Sequence, residues 1–255
     1  MPDTNLPSLV YYDFPTSPFC AKVRSVLMYQ RAEFTTVNAL APRRWLALRR
    51  HGTGKVPALE IDGRMVVDST DICHALDALF PQRPVIPPDP RERALCHAIE
   101  EWCDESLYFI GLRHVWLDPA NTKMVRRRFA PGPVGWLAWR GYRRLICTQV
   151  RGQGTGRKSD AHIEADLRRH LDAAEALLDS RDFLLSDRPW LCDFALFGQL
   201  RFIGFAAAGA AALALRPALS AYSGRVRQAC GLPVATTHTH GGPSGTADGS
   251  NRGAR

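Results

Sequence analysis

The sequence predicts an α/β domain at the N-terminus followed by an all-helical domain, and three observations carry that reading. An apolar run, Leu9-Val10-Tyr11-Tyr12, leads into Ser17-Pro18-Phe19-Cys20 and then into a helical pattern. A hairpin signal at residues 54–69 opens a second amphipathic helix. From about residue 90 to residue 230 the apolar spacing is mostly helical, which needs no further strands.

The first strand hands over to a helix whose first turn is Ser17 to Cys20. Ser17 is the natural N-cap and Pro18 the natural first helical residue. Val23, Val26 and Leu27 supply the apolar face, while Lys22 and Arg24 are expected to point elsewhere. The free N–H groups of that turn and the positive end of the helix dipole favour an anion, and a thiolate is one candidate. Ser17 can therefore stabilise a thiolate, or simply cap the helix. Cys20 can form a mixed disulfide, or pack as a buried thiol. Tyr12 reads as a strand aromatic.

In the second segment, residues 56–61 read as one strand, Asp62-Gly63 as a tight turn and residues 65–67 as the return strand. Pro57 at a strand start suggests a cis bond after Val56. Asp68-Ser69 caps the next helix, with Ile72, Ala75, Leu76 and Leu79 at i, i+3, i+4 and i+7.

The helical part carries one stripe of Leu95, Ile99, Trp102 and Cys103 and another of Ile163, Leu167, Leu171, Ala174 and Leu178. Residues 194–215 are apolar almost all round. Their length suits a bilayer, but Arg201 in the middle favours a buried central helix. The run Gly152-Gln153-Gly154-Thr155-Gly156 follows a helical pattern and no strand, which excludes a dinucleotide fingerprint. Arg157-Lys158-Ser159 excludes a Walker A loop, leaving a helix-to-helix connection capped by Ser159 or Asp160, or an anion-binding loop. His97, Cys96 and Cys103 lack zinc spacing, so no metal is expected.

The formal charge is +8, and the stretch from Pro119 to Ser159 explains most of it: ten Lys and Arg, no acid, and interleaved Phe129, Trp136, Trp139 and Tyr142. Such a surface suits a solvated face, an anionic membrane or a protein partner, and no nucleic-acid module accompanies it. Seven cysteines scattered through helical patterns read as reduced thiols. No secretory pattern opens the chain, so a cytoplasmic location is expected. Beyond residue 232 the composition turns to Pro, Gly, Ser, Thr, His and Asn, which predicts a disordered tail.

The strand with Ser17-Pro18-Phe19-Cys20-Ala21-Lys22-Val23-Arg24, the segment Lys55-Val56-Pro57-Ala58-Leu59 and the Asp68-Ser69 cap together resemble the glutathione S-transferase superfamily. That resemblance implies a thioredoxin-like domain over residues 1–85 and a helical-bundle domain over residues 90–231. It implies glutathione as co-substrate and no metal cofactor. Lys55, Val56 beside cis Pro57, Asp68 and Ser69 would hold the tripeptide, and Ser17, with Cys20 as a second candidate, would be catalytic. Ser17 takes the place of the cysteine used by the omega-like branch and by redox CxxC motifs. A homodimer and transfer of glutathione to an electrophilic small molecule, as in detoxification, are further implications. Trp190 stands where the superfamily usually places Ser or Thr three residues before the Asp matching Asp193, so that helix lacks the usual hydroxyl cap, worth about 1 kcal/mol. The glycine-rich basic segment at residues 149–157 also resembles the metaxin and failed-axon-connections branch. It keeps open a non-catalytic scaffold that docks on a membrane or partner through residues 123–158.

Overall fold

The computed structural model describes residues 7–39, 48, 54–127, 129 and 131–232. The tail expected beyond residue 232 and Arg128 of the basic stretch lie outside the described residues.

Strand β1 (Leu9–Asp13) runs into helix α1 (Pro18–Tyr29), which crosses to β2 (Thr35–Asn38), parallel to β1. On the other side of β1 lies β3 (Ala58–Ile61), antiparallel to it, and then β4 (Arg64–Val67), giving the order β2-β1-β3-β4. The hairpin forms as expected: Asp62 and Gly63 both take positive φ, at 49° and 82°, as a two-residue turn of this hand requires. Asp62 is further held because its Oδ1 accepts the Ser8 N–H at 2.9 Å. The Val56-Pro57 bond is cis, and β3 starts after it, two residues later than the sequence pattern suggests.

Helix α2 (Ser69–Leu79) packs Ile72 and Leu76 inward, while Leu79 stays partly exposed. Helix α3 (Pro90–Glu101) opens the second part and continues through a wide π-type turn (Trp102–Leu107), helix α4 (Tyr108–Leu112) and a second wide turn (Arg113–Leu117). Of the stripe expected here, Cys103 is buried and Ile99 and Trp102 pack against the core. Leu95 is exposed, and the inward row is Cys96, Glu100, Cys103 and Leu107. Glu100 meets a buried cation, described below. After α5 (Thr122–Arg126) and the long α6 (Gly132–Gln153), a break at Gly154, with φ 116°, leads to α7 (Asp160–Leu178). Ser159 caps α7 by accepting the His162 N–H, and Ile163, Leu167, Leu171, Ala174 and Leu178 are all buried, as their spacing predicts.

The apolar run at residues 194–215 is not one helix. It divides into α8 (Leu191–Ile203) and α9 (Ala207–Ala214), followed by α10 (Pro217–Ala229). Helix α8 is buried nearly throughout, and among the described residues no helix is long and apolar enough to cross a membrane. Its missing hydroxyl cap is offset from the other side. Asp193, wholly buried, accepts the backbone N–H groups of Trp190 and Leu184 at 2.9 Å each and the Tyr222 hydroxyl at 3.0 Å. Its carboxylate thus fastens the loop before α8 and helix α10 in one place. Burial nevertheless pushes its pKa up to about 6.

One apolar cluster runs without interruption from Tyr11, Val26 and Leu59 through Leu107 and Leu171 to Phe194 and Phe197. The two parts of the chain therefore share a core. Helix α8 comes so close to α1 that a Cβ on Gly198 would lie 2.5 Å from the carbonyl oxygen of Pro18. Replacing Gly198 with Ala should therefore cost about 1–3 kcal/mol by overpacking. Gly224→Ala in α10, where a methyl meets nothing within 4 Å, should be neutral or stabilising. Urea unfolding of the two variants checks the contrast.

Candidate functional site

The register of the sheet creates the site. Tyr12 of β1 lies opposite Ala58 of β3, and Ala58 lies opposite Val67 of β4. Three segments follow or precede those residues at one end of the sheet: the Phe14 to Ser17 turn, the Val56-Pro57 pair and the Asp68-Ser69 cap. The expected site residues Ser17, Val56, Pro57, Asp68 and Ser69 are thus gathered on one rim. Lys55 stands next to Val56 and is exposed.

Ser17 is the N-cap of α1, with extended backbone at φ −73° and ψ 130°; its N–H donates to Phe14 O at 2.9 Å, and its Oγ accepts the Cys20 N–H at 3.3 Å. The hydroxyl proton of an N-cap serine remains available to donate elsewhere. Asp68 caps α2 in the same way, accepting the Thr70 N–H at 2.9 Å, and takes a φ of 79°. Two helix N-termini therefore open on one rim, each offering partly unpaired N–H groups to an anion.

Cys20 does not share that rim. Its side chain is buried in the core beneath it, where Sγ accepts the Phe14 N–H at 3.4 Å and the backbone carbonyl accepts the Tyr11 hydroxyl at 2.7 Å. Burial pushes the Cys20 thiol up to about 11, although the bonds from Phe14 and Ser17 oppose it. Cys20 thus sits as the buried-thiol reading expects, and the thiolate that a mixed-disulfide role needs is disfavoured at neutral pH. Tyr12 is a strand aromatic, as expected: it is buried, and its hydroxyl donates to Glu60 Oε2 at 3.2 Å.

The main surprise is Lys22. It was expected off the apolar face of α1, yet it is 1% exposed. Its ammonium bonds Glu100 Oε1 of α3, Asp104 Oδ2 at 2.8 Å in the wide turn, Thr70 Oγ1 at 3.2 Å and Ser69 Oγ at 3.5 Å. Thr70 also donates to Glu100 at 2.8 Å, and Gln199 of α8 donates to Asp104 at 3.5 Å. Burial alone lowers a lysine pKa, but Asp104 and Glu100 outweigh it and hold Lys22 above its ordinary value. The group is a permanent cation directly behind the Ser69 hydroxyl. Arg24, the other residue expected to point away, grips Asp13 of β1 through both carboxylate oxygens, at 2.5 and 2.6 Å.

A sequence signal for this network exists. Lys22 stands four residues after Pro18 and four before Val26, on the inward row of α1, and Glu100 and Asp104 share a spacing of four on the next domain. A lone cation on a buried row needs carboxylates, and a pair of them stands at helical spacing.

Among the described residues, His97, Glu100 and Glu101 are the group whose ligand atoms, all within 4.8 Å of one another, suit a cation. Glu100 is already engaged by Lys22, and His97 Nδ1 stands 3.8 Å from its other oxygen. Cys96 and Cys103 are buried free thiols.

The chain resembles known proteins in sequence and in fold. The family model described as "Glutathione S-transferase, N-terminal domain" matches residues 12–84. An isoprene-epoxide–glutathione S-transferase of Rhodococcus sp. (strain AD45) is 26% identical over 200 residues, covering 73% of this chain and 80% of the relative. The crystal structure of beta-etherase LigF from Sphingobium sp. strain SYK-6 superposes with a TM-score of 0.59 at 21% identity, covering 86% of this chain and 95% of LigF. Rice GST1 in complex with glutathione gives 0.63 at 21% identity, with 90% and 92% covered.

Two outcomes follow from this arrangement. Lys22→Met leaves two buried carboxylates uncompensated and should cost about 3–5 kcal/mol of stability. Adding Glu100→Gln and Asp104→Asn to it should recover part of that loss in the same denaturation assay. Native-state alkylation at pH 7 should label Cys147, the one cysteine that is not buried, well before Cys20 or the other five. Mass-spectrometric mapping that finds Cys20 modified first contradicts its placement.

Proposed function

We propose that this chain, which belongs to the glutathione S-transferase superfamily, binds reduced glutathione at the rim and directs its thiolate onto an electrophilic small molecule. The observation that carries the reading is the convergence of two helix N-termini, at Ser17 and at Asp68-Ser69, with the cis Val56-Pro57 pair between them. A peptide with a carboxylate at one end and a thiol in the middle matches that set of donors.

In this reading Val56 offers its backbone to the cysteinyl part of glutathione, Asp68 and Ser69 hold the γ-glutamyl end, and Lys55 adds a nearby cation. Asp68 suits the γ-glutamyl ammonium by charge, and Ser69 with the α2 N–H groups suits its carboxylate. Lys22 fixes Ser69 from behind. Ser17 donates its hydroxyl proton in a hydrogen bond to the sulfur without transferring it. Each pKa unit by which the site lowers the thiol corresponds to about 1.4 kcal/mol of preferential thiolate stabilisation. The bound thiol releases its proton to solvent, the thiolate forms a C–S bond, and the electron pair of the broken bond leaves on the electrophile's oxygen or leaving group, where a proton ends. Cys20 takes no part.

The relatives' names include an isoprene-epoxide transferase and a β-etherase. An aromatic cluster begins two residues from Ser17, where Phe19 meets Tyr108 edge to face at 4.6 Å and Tyr108 lies 6.1 Å from Phe202. That cluster suits an electrophile carrying an aryl group. Free thiols throughout suit a reducing cytoplasm, and a homodimer and a detoxifying role accompany this reading.

Ser17→Ala tests the assignment. The pKa of bound glutathione, read by thiolate absorbance, should rise by about one unit or more, and turnover should fall about tenfold or more while glutathione affinity changes little. An unchanged thiol pKa together with unchanged turnover overturns the role of Ser17.

A further inference from the structure

Helix α6 presents a face that none of the described residues covers. Gly135, Ile146 and Val150 turn inward, with Trp139 and Tyr142 packed beside them in the cluster around Trp116 and Phe202. On the opposite side Val134, Leu137 and Leu145 recur at i, i+3 and i+11, and are 80%, 62% and 62% exposed. Gly141 lies between them on the same row, and helical rise spreads the apolar residues over about 16 Å. This is an amphipathic helix with a second apolar row facing outward.

A cationic row borders it. Arg140, Arg144 and Arg151 follow at i, i+4 and i+11, all exposed, and none of them has a carboxylate partner among the described residues. Arg140 stacks its guanidinium over Trp136 at 4.6 Å, and Trp136 is itself 44% exposed. Lys123 and Arg127 extend the positive charge past the N-terminal end of α6. From Pro119 to Ser159 no acidic residue balances them.

We propose that the outer face of α6 docks the protein on an anionic lipid bilayer, with Val134, Leu137 and Leu145 entering the boundary between headgroups and acyl chains. Trp136 sits at headgroup depth and Arg140, Arg144 and Arg151 meet the lipid phosphates. Apolar knobs on a convex helix, beside arginine and tryptophan, suit a fluid surface that closes around them. A folded protein partner would need a groove to receive the helix. A second copy of the chain is disfavoured by charge, since a two-fold contact through this face sets one arginine row close to the other. The proposal concerns a surface separate from the glutathione rim and does not depend on the proposed activity.

Flotation of the full chain with vesicles tests it, using phosphatidylcholine alone and phosphatidylcholine with phosphatidylserine. The chain should float with the anionic vesicles at low salt and be released as ionic strength rises. Charge reversal in Arg140→Glu with Arg144→Glu should weaken flotation by about tenfold or more. Val134→Ser with Leu137→Ser should weaken it comparably by removing the inserted side chains. These residues are exposed, so circular dichroism and glutathione affinity should stay at wild-type values in both variants. Absence of flotation by the wild type, equal flotation with neutral vesicles, or indifference to either double substitution overturns the proposal. A wild type that fails to float and whose oligomer dissociates on Val134→Ser with Leu137→Ser assigns the face to contact between copies instead.

Discussion

Everything around the rim of Ser17, Val56, Pro57, Asp68 and Ser69 depends on one buried cation. Lys22 leaves helix α1 on its inward side and meets carboxylates that belong to the second half of the chain, Glu100 and Asp104, while touching Ser69 and Thr70 at the start of α2. An ammonium stripped of water is tolerated only when opposing charge and hydrogen bonds surround it. Those partners come from different elements, so their positions are set together. The cap of α2, the wide turn after α3 and the first turns of α1 form one electrostatic unit, and the rim is assembled by contact between the two domains rather than by the α/β domain alone.

The same logic separates two side chains three residues apart. Ser17 sits half-buried at the mouth, an N-cap with a donor to spare, whereas Cys20 faces the core under Tyr11 and Phe14. A helix N-terminus favours a thiolate only if the sulfur is on the open side. Here the protein's own sulfur is on the closed side, where burial raises its pKa, and under the proposed function the open side receives a ligand's sulfur. The close approach of Gly198 to the Pro18 carbonyl keeps that first turn pressed against α8, which gives the rim a rigid floor.

Much of this was legible in the sequence because it rests on local chemistry. The Asp62-Gly63 turn, the cis proline, the caps at Ser17, Asp68 and Ser159 and the inward stripe of α7 each follow from a few neighbouring residues, and each appears in the structure. What escaped was decided at a distance. Lys22 turns inward and meets Glu100 and Asp104, about eighty residues away, and Leu95 of α3 faces out. The apolar run at 194–215 gives no periodic clue to the break between Ile203 and Ala207, which holds no proline and where Asn121 Oδ1 accepts the Ala207 N–H at 3.2 Å. The wide turns around Tyr108 have no simple sequence signature either. The uncapped start of α8 was visible as a loss; its compensation by Leu184 and Tyr222 needed the fold.

The account as a whole stands on the rim being a glutathione site, and isothermal titration with glutathione beside S-methylglutathione asks this most directly. The account predicts saturable binding of both, in the micromolar to millimolar range, about −8 to −4 kcal/mol. The methylated ligand should bind without the proton release that a thiol deprotonated in the site produces. Failure of either ligand to bind to the folded protein contradicts the account and means that the fold serves another purpose.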